Sequence, residues 1–185
     1  KGRVDMSNVD DLLDDFEDED VYYDPQMSAL VPEGSYPATI TGLYSKRIKT
    51  QRGNNGMLYK PQYRLDEIVK SYGGREVADA GVWRFFGTKD DDGRRITGGS
   101  NAGYKKFLDK IRIPLQKIEI DRNTDEEPRV VLKLPAITKD LILDKSVVIS
   151  IHHEEWEGRD GHRRITTVAT LVRVRNGSSD GQGHS

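Results

Sequence analysis

The chain has 185 residues, 29 Lys plus Arg, 31 Asp plus Glu, a net charge of −2 and no cysteine. That length fits one domain with tails, and 35% hydrophobic against 32% charged residues points to a compact core carrying polar extensions. The composition excludes disulfides, cysteine zinc sites and thiol nucleophiles, and the lack of an 18-residue apolar run excludes a membrane-spanning helix.

Residues 1 to 5 read as an added leader, with Met6 the expected native start. No apolar signal stretch opens the chain, so a cytoplasmic setting is expected. Residues 1 to 33 form an acidic arm. Residues 5 to 33 hold eleven acids, and residues 4 to 45 hold no Lys or Arg. Ser7 or Asn8 is placed to cap a short helix whose apolar strip includes Leu12, Leu13 and Phe16. That strip is too short to offset its ordering entropy, so the arm is expected to be disordered or ordered only by a partner. Leu12, Leu13 and Phe16 are its candidate partner-binding residues.

The next stretch is rich in strand signals. Residues 34 to 50 alternate as one long strand, and residues 51 to 56 are a turn by composition. Residues 57 to 69 form a second strand with Tyr59, Pro61, Tyr63 and Leu65 on one side and Lys60, Gln62 and Arg64 on the other. Pro61 lacks a donor and is expected where the ladder breaks or at an edge. Residues 76 to 88, with Val82, Trp83, Phe85 and Phe86, make a third strand, and residues 89 to 100 a loop. The period then changes. Tyr104, Phe107, Leu108 and Ile111 give residues 101 to 111 a helical apolar face. Residues 118–120 and 130–132 can pair as a hairpin around residues 121–128, and residues 138–143 can form a short helix. Residues 145–156 and 162–175 are two further strands joined by a Gly158-Arg159-Asp160-Gly161 turn, and residues 176–185 are a Gly/Ser-rich tail. Three strands, a helix and a two-stranded hairpin is the element order of the OB-fold, a five-stranded, partly open Greek-key barrel. The single domain is expected over residues 34 to 175, with a hairpin inserted.

Charge is laid out as unevenly as the elements. Residues 34 to 65 contain six bases and no acid, and residues 34 to 185 carry 27 bases against 20 acids. A basic body fused to an acidic arm points to polyanion binding. Single-stranded nucleic acid needs cations for its phosphates and flat rings for its bases. The first hairpin supplies Tyr44, Lys46, Arg47, Lys49, Arg52, Tyr59, Lys60 and Arg64; the third strand supplies Trp83 and Arg84; the last hairpin supplies Trp156, Arg163 and Arg164. Strand aromatics are more often core than stacking platforms, so Tyr63, Phe85 and Phe107 are assigned to the core. Periodicity alone leaves open which ring of residues 83–86 faces outward.

Three segments together carry a family likeness: Gly34-Ser35-Tyr36-Pro37-Ala38-Thr39-Ile40, the basic stretch 46–52 running into Gly56-Met57-Leu58, and Leu143-Asp144-Lys145-Ser146-Val147-Val148-Ile149 followed by Glu154-Glu155. They resemble phage-type single-stranded DNA-binding proteins with an OB-fold, over about residues 34 to 175. The resemblance implies sequence-independent binding of single-stranded DNA in phage DNA replication, recombination or repair, inside an infected host cell, with no cofactor. It also implies nucleic-acid contacts at Arg47, Lys49, Tyr59, Lys60 and Trp83. Such proteins often end in an acidic tail with a terminal aromatic that recruits partners. Here the comparable Asp10-Asp11-Leu12-Leu13-Asp14-Asp15-Phe16 lies at the other end, and docking of a replication polymerase or helicase is assigned to it.

Enzyme readings fare less well. In His152-His153-Glu154-Glu155 only alternate residues share a strand face, so two ligands converge where a hydrolytic metal site needs about three. The Asp90 loop lacks acids at Thr88 and Gly99 for a calcium frame. A non-enzymatic binder is therefore expected, with a replication-complex interaction module or a metal-dependent nuclease as the alternatives.

Overall fold

Alternating inward residues, Ala38 and Ile40 in one strand and Tyr59, Pro61, Tyr63 and Leu65 in the next, draw residues 34–65 into two long antiparallel strands, β1 (Gly34–Lys49) and β2 (Asn55–Leu65). The computed structural model describes residues 30–49, 51, 55–89, 91–120 and 129–175. Leu12, Leu13 and Phe16 of the acidic arm, Arg52 and the C-terminal tail lie outside them. The chain divides into two units between Leu30 and Val31, and every element below belongs to the second.

β1 is the hub. It pairs with β9 (Ser146–Glu157) through residues 34–39 and with β2 through residues 38–49, so its two halves serve different neighbours. The change of partner coincides with a bulge between Ile40 and Gly42, where an extra residue bends the strand. The backbone of Ile40 exchanges hydrogen bonds with Asp144 and Lys145 at that point, which ties the turn before β9 to the bend. β9 continues antiparallel into β10 (Arg163–Val174).

The single strand expected over residues 76 to 88 is interrupted. β3 (Glu76–Ala78) and β4 (Val82–Phe85) both pair with β2, on either side of residues 79–81. Pro61 lies opposite this break. Its carbonyl accepts from the Asp79 backbone N–H at 2.9 Å, and its missing donor faces the same side, where no ladder bond is made. Asp79 is buried, and it fixes the break from within. Its carboxylate accepts from the Tyr63 hydroxyl at 2.6 Å and from the Gly81 N–H at 2.8 Å. Burial raises the Asp79 carboxyl above its ordinary pKa, opposed by these hydrogen bonds, by the Leu171 backbone and by Lys110; burial and the neighbouring carboxylate also push the Tyr63 phenol up. Asp79 also forms a parallel bridge to Ala169, and the Ala80 N–H donates to the Ala169 carbonyl at 2.9 Å. Thus β10, at one end of the strand order, reaches the third-strand region at the other.

α1 (Ala102–Lys110) turns Tyr104, Phe107 and Leu108 inward, as its period predicts. The Tyr104 ring stacks on Tyr59 with centroids 6.0 Å apart. Alternate residues of β1, β2, β9 and β10 complete the core: Ala38, Ile40, Tyr63, Leu65, Val147, Ile149, Ile151, Ala169 and Leu171. A second short helix, α2 (Lys139–Ile142), contributes Ile142. Two hairpins branch off: β5 (Thr88–Lys89) with β6 (Arg95–Ile96), inside the expected loop, and β7 (Gln116–Ile120) with β8 (Arg129–Lys133). The architecture is mainly β, with antiparallel sheets and one principal helix, as the sequence predicts.

Candidate nucleic-acid interface

Residues directly opposed across antiparallel strands share a face, so register sorts the candidate side chains without further assumption. Tyr44 opposes Lys60, Lys46 opposes Leu58, and Leu58 in turn opposes Trp83. The inward rungs between them hold Tyr59, buried at 3% exposure. Tyr44, Lys46, Lys60 and Trp83 therefore occupy the outer face of three adjacent strands, with Tyr44 49% and Trp83 42% exposed. Arg64 continues the outer row of β2, opposite Thr39 on one side and Glu76 on the other, so an acid stands beside it. Gly81 keeps the surface shallow: a Cβ there would lie 2.9 Å from Leu58 Cδ1 and 3.4 Å from Lys60 Cε. A larger residue would displace the Leu58 side chain and strain the backbone, whose φ here is +110°.

Two aromatic assignments change. Tyr59 belongs to the core and offers no face to a base, because it lies in the same inward series as Pro61, Tyr63 and Leu65. Phe85 is half-buried rather than a core residue. Its ring stacks on Trp83, with centroids 5.9 Å apart and planes 21° apart, and buttresses it. β4 is held for this purpose by Asn101, which is buried at the start of α1. Its Oδ1 accepts from the Phe85 N–H at 2.8 Å, and its Nδ2 donates to the Phe85 carbonyl at 2.9 Å and to Thr97 Oγ1 at 2.8 Å. A cleft of about 630 Å³ lies beside Trp83, lined also by Tyr104, Lys106 and Lys110.

Arg47 and Arg84 lie on the opposite face of the same strands. Both are in register with Met57, and both guanidinium groups approach the Phe86 ring, at 5.8 and 5.6 Å from its centroid. Arg95 joins them at 5.8 Å. Lys49 opposes Asn55 near the end of the β1–β2 ladder, on the Arg47 side. The sequence offered Phe86 only as one of the rings of residues 83–86 and did not point to Arg95. The Arg84-Phe85-Phe86 run was a usable signal for Phe86; nothing local places Arg95 there.

Trp156 and Arg164 form a separate group. They oppose each other across β9 and β10, the guanidinium lies 5.4 Å from the indole centroid, and the indole N–H donates to Thr166 Oγ1 at 2.7 Å. Trp156 is 47% exposed. Arg164 is paired with Asp160 at 3.0 Å, and the Asp160 carboxyl is held below its ordinary pKa, first by the His162 backbone N–H and then by Arg164. Arg163 opposes Glu157 on the other face. The β9–β10 tip extends past Gly34, whereas the β1–β2 tip lies at the far end of β1, so register does not join this group to Tyr44 and Trp83.

The His152–Glu155 run is otherwise occupied. His152 lies 3.5 Å from Glu154; the His153 ring lies 2.7 Å from the Val31 carbonyl, and its backbone N–H donates to Glu33 at 3.0 Å. Among the described residues, no three His, Asp or Glu side chains are grouped to hold a metal ion. No helix of the described residues is long and apolar enough to cross a membrane. No protein-family model matches the chain, and no curated protein matches it.

Proposed function

We propose that the body is an OB-fold that binds single-stranded DNA without reading its sequence. The topology supports the fold when β3 and β4 are taken as one strand broken at Asp79. A three-strand meander, then α1, then the β9–β10 hairpin follow in order, with β1 shared between β2 and β9, and with the Asp79–Ala169 bridge between the third and last barrel strands. The observation that carries the binding reading is the common outer face of Tyr44, Lys46, Lys60 and Trp83, which pairs exposed rings with cations where no acid intervenes. Stacking is indifferent to base identity because every base has a π-face, and ammonium groups meet phosphates without regard to sequence. The role proposed for such an activity is phage DNA replication, recombination or repair, with the acidic arm as the proposed recruiter of a polymerase or helicase; the resemblance of the three sequence segments to phage single-strand binders supports this reading.

Intrinsic fluorescence tests the reading, since Trp83 and Trp156 are the only two tryptophans. Oligo-dT is expected to quench the Trp156→Phe variant, in which Trp83 is the sole reporter, and duplex DNA is expected to quench it far less. Equal responses to single strand and duplex, or none to either, would contradict it. Oligo-rU in place of oligo-dT tells DNA from RNA preference.

A further inference from the structure

A cleft of about 910 Å³ lies at the end of β4 and reaches Arg84, which register puts on the opposite face from Tyr44 and Trp83. One wall is β4 and the segment after it, with Arg84, Phe85 and Phe86. The other is the β7–β8 hairpin, whose Ile118–Val131 and Ile120–Arg129 pairs line it; the first turn of α1 also lines it. Six bases line the cleft (Arg84, Arg94, Arg95, Lys105, Arg129 and Lys133), and no Asp or Glu among the described residues does. Lys105 has a partner in Asp109 at 2.9 Å. Arg84 and Arg95 are anchored differently, by the carbonyls of Leu134 at 3.2–3.3 Å and Gly87 at 3.1 Å. A carbonyl positions a guanidinium without neutralising it. With Arg47, three guanidinium groups thus converge on the Phe86 ring, and no described carboxylate lies at salt-bridge distance from any of them. Like charges so gathered repel, and a bound phosphate relieves that repulsion while accepting forked hydrogen bonds.

We infer that this cleft is a second single-strand site, which takes a nucleotide unit with its phosphate on Arg84 and Arg95 and its base against the Ile118–Val131 wall, and that Arg47, beside the same Phe86 ring, adds its charge at the mouth. This rests on the reading that the body binds single strands. Continuity favours nucleic acid over an acidic peptide: Lys46 and Arg47 are neighbours on β1 that project to opposite faces. A strand bent over the β1–β2 hairpin meets cations on both sides. The cleft therefore lengthens the footprint, and short oligonucleotides fill the outer face alone.

The experiment compares labelled oligo-dT of about 8 and about 24 nucleotides, one within and one beyond the footprint of about 4–16 nucleotides usual for one such domain, on the full chain and on the Arg95→Ala/Arg129→Ala variant. Both arginines are exposed, and circular dichroism and thermal melting check the fold. The variant is expected to bind the 8-mer within about twofold of the parent and the 24-mer about tenfold or more weakly, with a salt slope about 0.7 shallower per lost phosphate contact. Parent-like binding of the 24-mer by this variant, while Lys46→Ala/Lys60→Ala weakens it, would overturn the cleft and leave the outer face standing. Failure of the parent to bind either length would bring down the underlying reading with it. Photo-cross-linking of a 5-iododeoxyuridine 24-mer to the unaltered chain decides the matter if the variant misfolds. Adducts are expected within residues 84–97 or 129–134, and their absence from both refutes the cleft. Protection of those segments by free dTMP or by polyglutamate, without adducts from the 24-mer, also refutes it.

Discussion

Trp83 and Tyr59 sit on paired strands, one rung apart, yet meet opposite environments. Trp83 reaches solvent from the outer face, and Tyr59 packs on Tyr104 inside. Truncating them should separate binding from stability. Trp83→Ala is expected to weaken oligo-dT binding by about 1–3 kcal/mol, the usual worth of a base–aromatic stack, and to change unfolding free energy by less than about 1 kcal/mol. Tyr59→Ala is expected to cost about 3–5 kcal/mol of stability, as for other buried aromatics. Fluorescence titration and urea denaturation on both variants check the pair; a Trp83→Ala variant that binds like the parent would remove Trp83 from the interface. Asp79 gives a pH signature. Its native pKa is raised, so the folded chain keeps this proton to higher pH than the unfolded chain does. The contribution to stability is present below the ordinary value near 3.8 and is lost as pH rises through the raised native value. Asp79→Asn holds the group neutral throughout. The stability of Asp79→Asn minus that of the parent, from urea denaturation across the acid-to-neutral range, is expected to climb with pH and then level off. A difference independent of pH would show that the group is not shifted.

At the scale of elements, β4 depends on α1 as much as on β2. The Asn101 amide closes a hydrogen-bonded ring with both backbone groups of Phe85, as a neighbouring strand would. Asn101→Ala leaves those groups without protein partners and is expected to cost about 2–3 kcal/mol and to weaken oligo-dT binding, since Trp83 and Phe85 ride on this strand. Urea denaturation checks the first and fluorescence titration the second; unchanged stability would mean that β4 holds its place through β2 alone. The long elements were legible because their runs are long: sixteen residues in β1 and twelve each in β9 and β10, and the Tyr104-Phe107-Leu108-Ile111 face of α1. The break at residues 79–81 was not, because Asp79 is fixed by Tyr63, sixteen residues away, and by a bridge to Ala169. The β5–β6 pair is two residues long on each side, too short for any period. In the site, Lys46, Lys60 and Trp83 followed from charge and ring content. Tyr59 is buried with Tyr63, as the strand's alternation implies, although ring content and the resemblance also make it a candidate contact. Arg47 and Arg84 lie on the far face, which a count of basic residues cannot tell apart from the near one.

Across the whole molecule, charge and topology act together. Eleven acids within residues 5–33 balance a body whose residues 34–185 are net basic, so the near-neutral chain conceals a cationic surface. The strand order from β10 through β9, β1 and β2 to β3 presents the most acid-poor stretch of sequence, residues 34–65, on two neighbouring strands. The proposed phosphate neutralisation on that surface predicts a salt-dependent affinity: about six contacts would give log affinity a slope of roughly −4 against log salt for a single strand. The most direct measurement is that slope for the parent and for Lys46→Ala/Lys60→Ala, titrated with one oligo-dT over a range of salt concentrations. The expected result is weaker binding at every salt and a slope about 1.4 shallower, two contacts' worth. Identical affinity and identical slope in the two proteins would contradict the claim that this face holds the strand.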